Sequence, residues 1–264
     1  SDIDGEAVND ASGHSVAISN DGKIVAVGSR MNDGNSTNSG HVRVFEFTNG
    51  NWSQLGSDLD GESSQDESGN SIALSGDGSI VAIGAYKNDG TYGYDRGHVR
   101  VYQYSNGSWS QLGADIDGEG SQDHSGYSIS LSDNGFVLAI GAPWNEPVIN
   151  SGCWGCGEGH VRVYEYSSTT NSWTQRGSDI DGEASSDRSG YAVSLSSNGS
   201  IVAVGAPLND GNGTSSGHVR VYEYSSTTNS WTQLGSDIDG EAVDDLSGSA
   251  LSLSDDGTIV AIGA

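Results

Sequence analysis

The sequence predicts an all-β fold assembled from copies of one antiparallel unit, and three observations support this prediction. First, one pattern begins again at Ser1, Ser57, Ala114, Ser178 and Ser236, about every 60 residues. Second, each copy contains short apolar runs separated by Asp-Gly or Asn-Gly pairs, which are the strongest local signal for hairpin turns. Third, only 33% of the 264 residues are hydrophobic and 40 are glycine, which suits short strands and tight turns better than helical bundles.

The copy over 178–235 shows the strands of the unit clearly. Its first strand, 192–196, alternates small or polar residues with large apolar ones, as half-buried strands do. The second strand, 201–205, is apolar throughout, so we expect it to be buried on both faces. The third strand, 218–224, alternates as well, and the short fourth strand centres on Trp231. Four antiparallel strands per repeat, without a helix signal, predict a blade of a β-propeller.

The whole chain forms a single repeat array of about four and a half copies. The copies span 1–56, 57–113, 114–177, 178–235 and, as a half-repeat, 236–264. The half-repeat leaves three interpretations open: a fragment of a longer array, an imperfect ring of five blades, or two chains that complete each other's half-blade. We expect a fragment or self-association with another chain, because a bare strand edge would favour aggregation.

The repeated pattern resembles a known family. Ser-Gly, a strand, an Asp/Asn-Gly turn, Val-Ala-Ile-Gly-Ala-Pro, a loop and Gly-His-Val-Arg-Val-Tyr follow one another, and the pattern covers the whole chain. This order is similar to the FG-GAP repeat of integrin α-chain propellers, and the resemblance implies a propeller at the cell surface or outside the cell. Two features depart from the family: Ser-Gly replaces Phe-Gly, and the first turn is too short for the family's calcium loop. The family's calcium sites are therefore not transferred to this chain.

The charge of the chain and the length of its apolar runs each exclude one kind of partner. With 10 Lys and Arg against 36 Asp and Glu, the formal net charge is -26, and such a surface repels phosphate backbones. No apolar run is long enough to cross a bilayer. We therefore expect no nucleic-acid binding and no membrane insertion, and we expect the partners to be other protein chains or glycans.

An acidic Asp-x-Asp-Gly-Glu linker precedes the first strand of every copy. Clustered carboxylates beside a glycine suit Ca²⁺, although the spacing is not that of an EF-hand loop. We expect no cofactor, with calcium as the alternative. The candidate metal-binding residues are Asp2, Asp4, Glu6, Asp58, Asp60, Glu62, Asp115, Asp117, Glu119, Asp179, Asp181, Glu183, Asp237, Asp239 and Glu241.

Arginine recurs at one position of the third strand. A buried arginine needs an anionic partner, and a linker aspartate of the adjoining blade can accept two parallel hydrogen bonds from it. We predict a structural Arg–Asp ladder that runs round the propeller. Its members are Arg43, Arg100, Arg162 and Arg220.

Histidine also recurs, immediately before these strands, at His41, His98, His160 and His218. Because there is one per blade, we expect structural hydrogen bonds from these imidazoles rather than metal binding or acid–base work. Two further histidines, at 14 and 124, occupy a region that varies between copies, and this interpretation treats them as incidental.

The longest loop, 145–159, breaks the symmetry of the array. We expect Cys153 and Cys156 to form a disulfide, with a redox pair or half of a metal site as the alternatives. If the chain has a unique ligand site, Trp144 and Trp154 place it at this loop.

The fourth-strand tryptophans are expected to pack against their blades, with sugar stacking as the alternative. Candidate N-glycosylation sites are Asn35, Asn51, Asn106, Asn198 and Asn212.

The repetition also shapes the functional prediction. Catalytic residues should be unique, whereas the candidates here occur in fours and fives. We therefore expect a non-enzymatic extracellular propeller that acts as a structural or adhesion scaffold through protein–protein contacts. A lectin-like carbohydrate-binding propeller is the alternative, and a site with non-repeated polar side chains would favour an enzyme.

Overall fold

The computed structural model of the chain describes residues 2–90, 93–146 and 157–264. In this part of the chain 22 strands form five antiparallel sheets, one for each copy of the repeat. The predicted all-β blade architecture is confirmed. None of the described residues belongs to a helix long and apolar enough to cross a membrane.

The first four sheets share one plan. The inner strand, the second strand and the long third strand pair antiparallel in chain order, and two short strands share the outer edge of the third. The first sheet contains β1 (Ser12–Ile18), β2 (Ile24–Ser29), β3 (His41–Thr48), β4 (Asn51–Gln54) and β5 (Leu59–Asp60). The second contains β6 (Ser71–Leu74), β7 (Ile80–Ala85), β8 (His98–Ser105), β9 (Ser108–Gln111) and β10 (Ile116–Asp117).

The remaining sheets repeat this order. The third contains β11 (Ser128–Leu131), β12 (Val137–Ala142), β13 (His160–Ser167), β14 (Ser172–Gln175) and β15 (Ile180–Asp181). The fourth contains β16 (Ala192–Leu195), β17 (Ile201–Ala206), β18 (His218–Ser225), β19 (Ser230–Gln233) and β20 (Ile238–Asp239). The fifth contains only β21 (Ala250–Leu253) and β22 (Val260–Gly263).

The hairpin between the inner and second strands is fixed by a polar turn. In the second sheet Asp77 Oδ1 accepts hydrogen bonds from Ser75 Oγ at 2.7 Å and from the Ser79 amide at 2.9 Å. The Ile80 amide then donates to Ser75 Oγ at 2.9 Å, and Gly78 takes a φ of 71° that favours glycine. The Asp-Gly pair therefore closes the hairpin as its sequence predicts.

The linker adds a short strand that the sequence pattern does not predict. Ile116 and Asp117 pair with Val99 and His98 at the start of the third strand of the second sheet. The same two-residue pairing occurs in the first, third and fourth sheets. This short strand places the acidic linker directly beside the histidine that begins the third strand of the same sheet.

The apolar core lies between adjacent sheets. One cluster joins Ile80 and Val101 of the second sheet to Leu138 and Ile140 of the third, all of them buried. Trp173 packs against this cluster, and its Nε1 donates to the Leu112 carbonyl of the preceding repeat at 2.8 Å. Each sheet therefore hides its apolar faces against its neighbours, which is the packing that a repeat array requires.

Candidate functional site

A strip of non-repeated side chains crosses the first four blades, at the ends where the inner strands begin. Its members come from two places in each copy: the residues that flank the Ser-Gly pair before the inner strand, and the residues just after the Gly-Ala or Gly-Ser end of the second strand. The non-repeated strip consists of Arg30, Glu67, Tyr86, Lys87, His124, Tyr127, Trp144, Arg188 and Tyr191. The strip is therefore one of the places, with the loops between the second and third strands, where the copies differ.

Aromatic contacts make the strip continuous from blade to blade. The Tyr127 ring lies 5.6 Å from Tyr86, 5.0 Å from Trp144 and 5.1 Å from Tyr191, measured between ring centroids. The His124 ring lies 4.7 Å from Trp144 in an edge-on arrangement. These rings are neither fully buried nor fully exposed, so they form a platform that a ligand can reach.

Cations border the aromatic platform. The Arg188 guanidinium lies over the Trp144 ring at 4.5 Å, and Lys87 Nζ lies 5.4 Å from the Tyr86 ring centroid. The Nη1 atom of Arg188 is buried without a hydrogen-bond partner among the described residues. Burial lowers the pKa of Arg188. The strip therefore offers positive hydrogen-bond donors on a chain that is otherwise strongly acidic.

Glu67 anchors two of these cations. Its side chain is 6% exposed, and it accepts hydrogen bonds from Arg30 Nη1 and Lys87 Nζ, each at 2.5 Å, and from the Tyr86 hydroxyl at 3.1 Å. Burial alone would raise the pKa of Glu67, but Lys87, Arg30 and Tyr86 outweigh it and lower the pKa. The carboxylate therefore stays ionised and holds its partners in place.

His124 combines the properties of a reactive group. Its Nε2 lies 3.8 Å from Asp95 Oδ2, and its Nδ1 is buried without a hydrogen-bond partner. Burial, followed by the charges of Lys87 and Arg188, lowers the pKa of His124 to about 4. The imidazole is therefore neutral at pH 7 and is a weaker base than a free histidine. The sequence analysis treated His124 as incidental, but the structure places it at the centre of the strip, against Tyr86 and Trp144.

The stability of the strip should depend on pH through Glu67. A carboxylate whose pKa is lowered on folding stabilises the protein fully above the unfolded-state pKa near 4.5 and loses that contribution as the pH falls through the lower folded value. We expect Glu67→Gln to cost about 2 kcal/mol at pH 7, through its weaker hydrogen bonds to Arg30 and Lys87, and to lose less stability than the parent on acidification. Urea unfolding between pH 7 and pH 3 measures both effects.

Glu223→Gln is the control for this prediction, because Glu223 is exposed on β18. It should follow the parent's pH profile. Equal acid sensitivity of Glu67→Gln and the parent would show that the Glu67 ion pairs do not contribute to stability.

A second kind of cluster repeats at every junction between successive linkers. In the fourth repeat, His218 Nδ1 lies 4.0 Å from Glu183 Oε2 and 3.8 Å from Asp237 Oδ2. The Glu comes from the linker before the blade, the His begins its third strand, and the Asp opens the next linker. The His–carboxylate clusters are Glu6–His41–Asp58, Glu62–His98–Asp115, Glu119–His160–Asp179 and Glu183–His218–Asp237.

The structure groups the candidate metal-binding residues differently from the sequence analysis, which grouped the three acids of each linker. The three acids of one linker do not converge; the glutamate of one linker meets the first aspartate of the next. The Nδ1–carboxylate distances of 3.8 to 4.0 Å in these clusters are too long for hydrogen bonds. Burial lowers the pKa of His98 and of His160 to about 4, and lowers that of His218, so these imidazoles are neutral at pH 7.

The recurring arginines contact the neighbouring linker, but not through an aspartate carboxylate. Each Nη2 donates to the backbone oxygen of the middle linker aspartate, Asp4, Asp60, Asp117 or Asp181, at 2.6, 2.7, 2.8 and 2.7 Å. Each Nη1 lies 3.4 to 3.7 Å from the linker glutamate. The predicted Arg–Asp carboxylate ladder is therefore an arginine–carbonyl ladder with glutamate as the charged neighbour.

The structure adds detail to other sequence-based assignments. The Nδ2 atoms of Asn35 and Asn212 donate to the linker carbonyls of Gly61 and Gly240 at 2.8 Å, and N-glycosylation of these sites stays a prediction. Asn51, Asn106 and Asn198 are exposed. Trp144 belongs to the non-repeated strip, whereas Cys153, Cys156 and Trp154 lie outside the described residues.

Sequence reasoning missed most of the strip because it searched for what the copies share. The signal is present in the sequence as disagreement: the residue before Ser-Gly is Ala11, Glu67, His124, Arg188 and Leu246 in successive copies. Charged and aromatic residues at positions where a repeat varies can be found by aligning the copies with one another. The contacts between them require the folded array.

The fold and its repeated sheets define a propeller-type repeat protein. A family model described as the FG-GAP repeat matches residues 3–45 and 178–222, which lie in the first and fourth copies. These two matched segments support the FG-GAP-type repeat that the sequence pattern predicts. No curated protein matches it in sequence.

Solved structures similar to the chain include several enzymes. A candidate 6-phosphogluconolactonase from Bacteroides uniformis superposes with a TM-score of 0.62 at 14% identity, covering 95% of this chain and 63% of that one. The periplasmic gluconolactonase PpgL of Pseudomonas aeruginosa gives 0.60 at 16% identity, covering 94% and 64%. The hydrazine synthase of Kuenenia stuttgartiensis gives 0.55 at 10% identity, covering 99% and 57%. The chain thus spans less than two thirds of these structures.

These similarities correct the functional prediction. The expected non-enzymatic scaffold, with a lectin-like module as its alternative, is contradicted by neighbours that are named as lactonases. The argument from repetition was also wrong, because it required unique polar side chains and the non-repeated strip supplies them. At this level of identity the similarity shows the fold, so the activity has to be argued from the strip itself.

Proposed function

We propose that this chain is part of an enzymatic propeller that hydrolyses sugar lactones, with the non-repeated strip as its active surface. The observation that carries the proposal is the strip: a neutral histidine beside a carboxylate, cationic donors and an aromatic platform, at positions where the copies differ. Lactonases among the structural neighbours support the choice of substrate class.

The reaction needs few groups. Water adds to the lactone carbonyl carbon, the ring C–O bond breaks, and the ring oxygen leaves as a hydroxyl group after it takes up a proton. The product is the open-chain hydroxy acid. A protein accelerates this reaction by accepting a proton from the attacking water, by stabilising negative charge on the carbonyl oxygen, and by returning a proton to the leaving oxygen.

His124 and Asp95 are positioned to bind the attacking water molecule between them. Their facing atoms are 3.8 Å apart, which is too far for a direct hydrogen bond and leaves a water molecule room to contact both. The neutral imidazole accepts the proton of the attacking water and returns it to the leaving oxygen. Burial raises the pKa of Asp95 above its ordinary value.

The charged and aromatic groups of the strip are placed to hold the sugar. Arg188 and Lys87 both lie close enough to His124 to lower its pKa, so an oxyanion formed beside His124 is within their field. Tyr127 is neutral at pH 7 like an ordinary tyrosine, and burial raises its pKa further. The Trp144 and Tyr191 rings offer apolar faces to the C–H groups of a sugar ring.

Hydrolysis of glucono-δ-lactone and its 6-phosphate by the purified chain tests the proposal. A pH-stat at pH 7 measures acid release above the spontaneous rate. We expect activity from the parent and a loss of about 100-fold in kcat/KM for His124→Ala, the contribution typical of one acid–base group. Arg188→Met should lower kcat more than it raises KM if the guanidinium acts on the oxyanion.

His14→Gln is the control, since His14 is an exposed histidine outside the strip. It should retain the parent rate. Release of acid at the buffer rate by the parent, or equal activity in His124→Ala and His14→Gln, would contradict the proposed function.

A further inference from the structure

The four His–carboxylate clusters have the geometry of sites for a divalent cation. In each, one imidazole nitrogen and two carboxylate oxygens lie within 4.8 Å of one another. Metal–ligand bonds of about 2.0 to 2.2 Å place neighbouring ligand atoms roughly 3 to 4 Å apart. The observed Nδ1–oxygen distances of 3.8 to 4.0 Å fall in that range and are too long for hydrogen bonds.

In the fourth cluster an unsatisfied buried nitrogen faces the carboxylates, whereas in the first and third clusters the unpartnered ring nitrogen is Nε2 of His41 and of His160. The His218 side chain is 1% exposed, and its Nδ1, the atom that faces Glu183 and Asp237, has no hydrogen-bond partner among the described residues. A buried polar atom without a partner costs free energy, so its retention needs a compensating contact. A bound cation between Nδ1 and the two carboxylates would satisfy all three groups.

The electrostatic surroundings favour a cation. A cavity of about 270 Å³ opens at the second cluster and provides a route from solvent. Its charged and imidazole lining consists of Glu62, Asp66, Asp89, His98, Asp115 and Asp117. Arg100 Nη1 lies 3.5 Å from Glu62 Oε1, so the guanidinium orients the glutamate while Oε2 faces the imidazole. Five carboxylates against one guanidinium leave this pocket negative.

The donor set selects the kind of ion. Calcium prefers six to eight oxygen ligands, whereas imidazole with carboxylates suits zinc and similar first-row ions. Three protein ligands also leave one position of a tetrahedral zinc ion open to water. We propose that each His–carboxylate cluster binds one zinc-class divalent cation through the histidine Nδ1 and the two carboxylates, which cross-links successive linkers. This proposal does not depend on lactone hydrolysis.

Calorimetric titration of the folded, chelator-treated chain with Zn²⁺ tests the proposal. We expect Glu183→Gln to lower the number of bound ions by one, and the quadruple variant Glu6→Gln, Glu62→Gln, Glu119→Gln and Glu183→Gln to lower it by four. These glutamates are 44 to 50% exposed, so their replacement should leave the fold intact, which circular dichroism checks. Zinc should also raise the melting temperature of the parent more than that of the quadruple variant.

Glu241→Gln is the matched control. Glu241 occupies the same linker position in the fifth copy but belongs to no such cluster among the described residues. It should bind as many ions as the parent. Imidazole ¹⁵N resonances of the four clustered histidines should shift with zinc, while that of His14 should not.

Three results would overturn the proposal. The first is the absence of zinc binding by the parent. The second is an ion count that is the same in the parent and in the quadruple variant, which would place the zinc elsewhere. The third is calcium binding at the clusters with an affinity equal to that of zinc, which would show that the imidazole is not a ligand.

Discussion

Gly141→Ala is expected to lower the free energy of unfolding by about 3 kcal/mol or more, which is a large effect for the addition of one methyl group. Gly141 lies on β12 and touches Gly190, which precedes the inner strand of the next blade. A Cβ at Gly141 would lie 2.4 Å from Ser128 Oγ and 2.1 Å from the Gly190 carbonyl oxygen, and this second contact is with backbone, which no side-chain rotation can relieve. The blades must therefore move apart, which opens the apolar core between them.

Gly263→Ala is the matched control because it makes the same change at the same repeat position in the fifth copy. There the nearest atom to a new Cβ is Ala250 Cβ at 3.4 Å, which a small adjustment accommodates. Urea unfolding of both variants against the parent measures the difference. Equal stability of the two variants would show that close glycine contact does not set the spacing between blades.

The repeat period, strand pattern and turn residues were sufficient to predict the propeller. They carry the fold because each hairpin depends on local chemistry, such as Asp77 and Gly78, that one copy of the sequence already contains. The linker strands were missed because two residues, Ile116 and Asp117, are too few to show a period. Their position became visible only through pairing with the third strand.

The candidate sites were predicted less well, and for two different physical reasons. The His–carboxylate clusters join residues from three separated segments, such as Glu183, His218 and Asp237, so no single motif contains them. The non-repeated strip was hidden because its members fill different positions in different copies, and only the stacking of blades brings Tyr86, His124 and Arg188 together. Both kinds of site therefore depend on the arrangement of blades rather than on the sequence of one blade.

Arg220→Ala is expected to lower the free energy of unfolding by about 2 to 3 kcal/mol. Arg220 is 7% exposed, and its Nη2 donates to the Asp181 carbonyl at 2.7 Å across the junction between the third and fourth blades. Removal leaves that carbonyl without its charged donor, which costs roughly 1.5 to 3 kcal/mol. The ion pair with Glu183 adds little, because the glutamate is 47% exposed and water screens it.

Lys23→Ala is the control for Arg220→Ala because it removes the same charge from the surface. Lys23 forms an ion pair with Asp21, and both side chains are more than half exposed, so its loss should change stability by less than about 0.5 kcal/mol. Arg220→Lys distinguishes the hydrogen-bonding geometry from the charge: a lysine keeps the charge but loses the planar fork that reaches both Asp181 and Glu183. If Arg220→Ala unfolds at the same urea concentration as Lys23→Ala, the arginine–carbonyl ladder does not hold the blades together. If Arg220→Lys matches the parent, charge alone is sufficient at this junction.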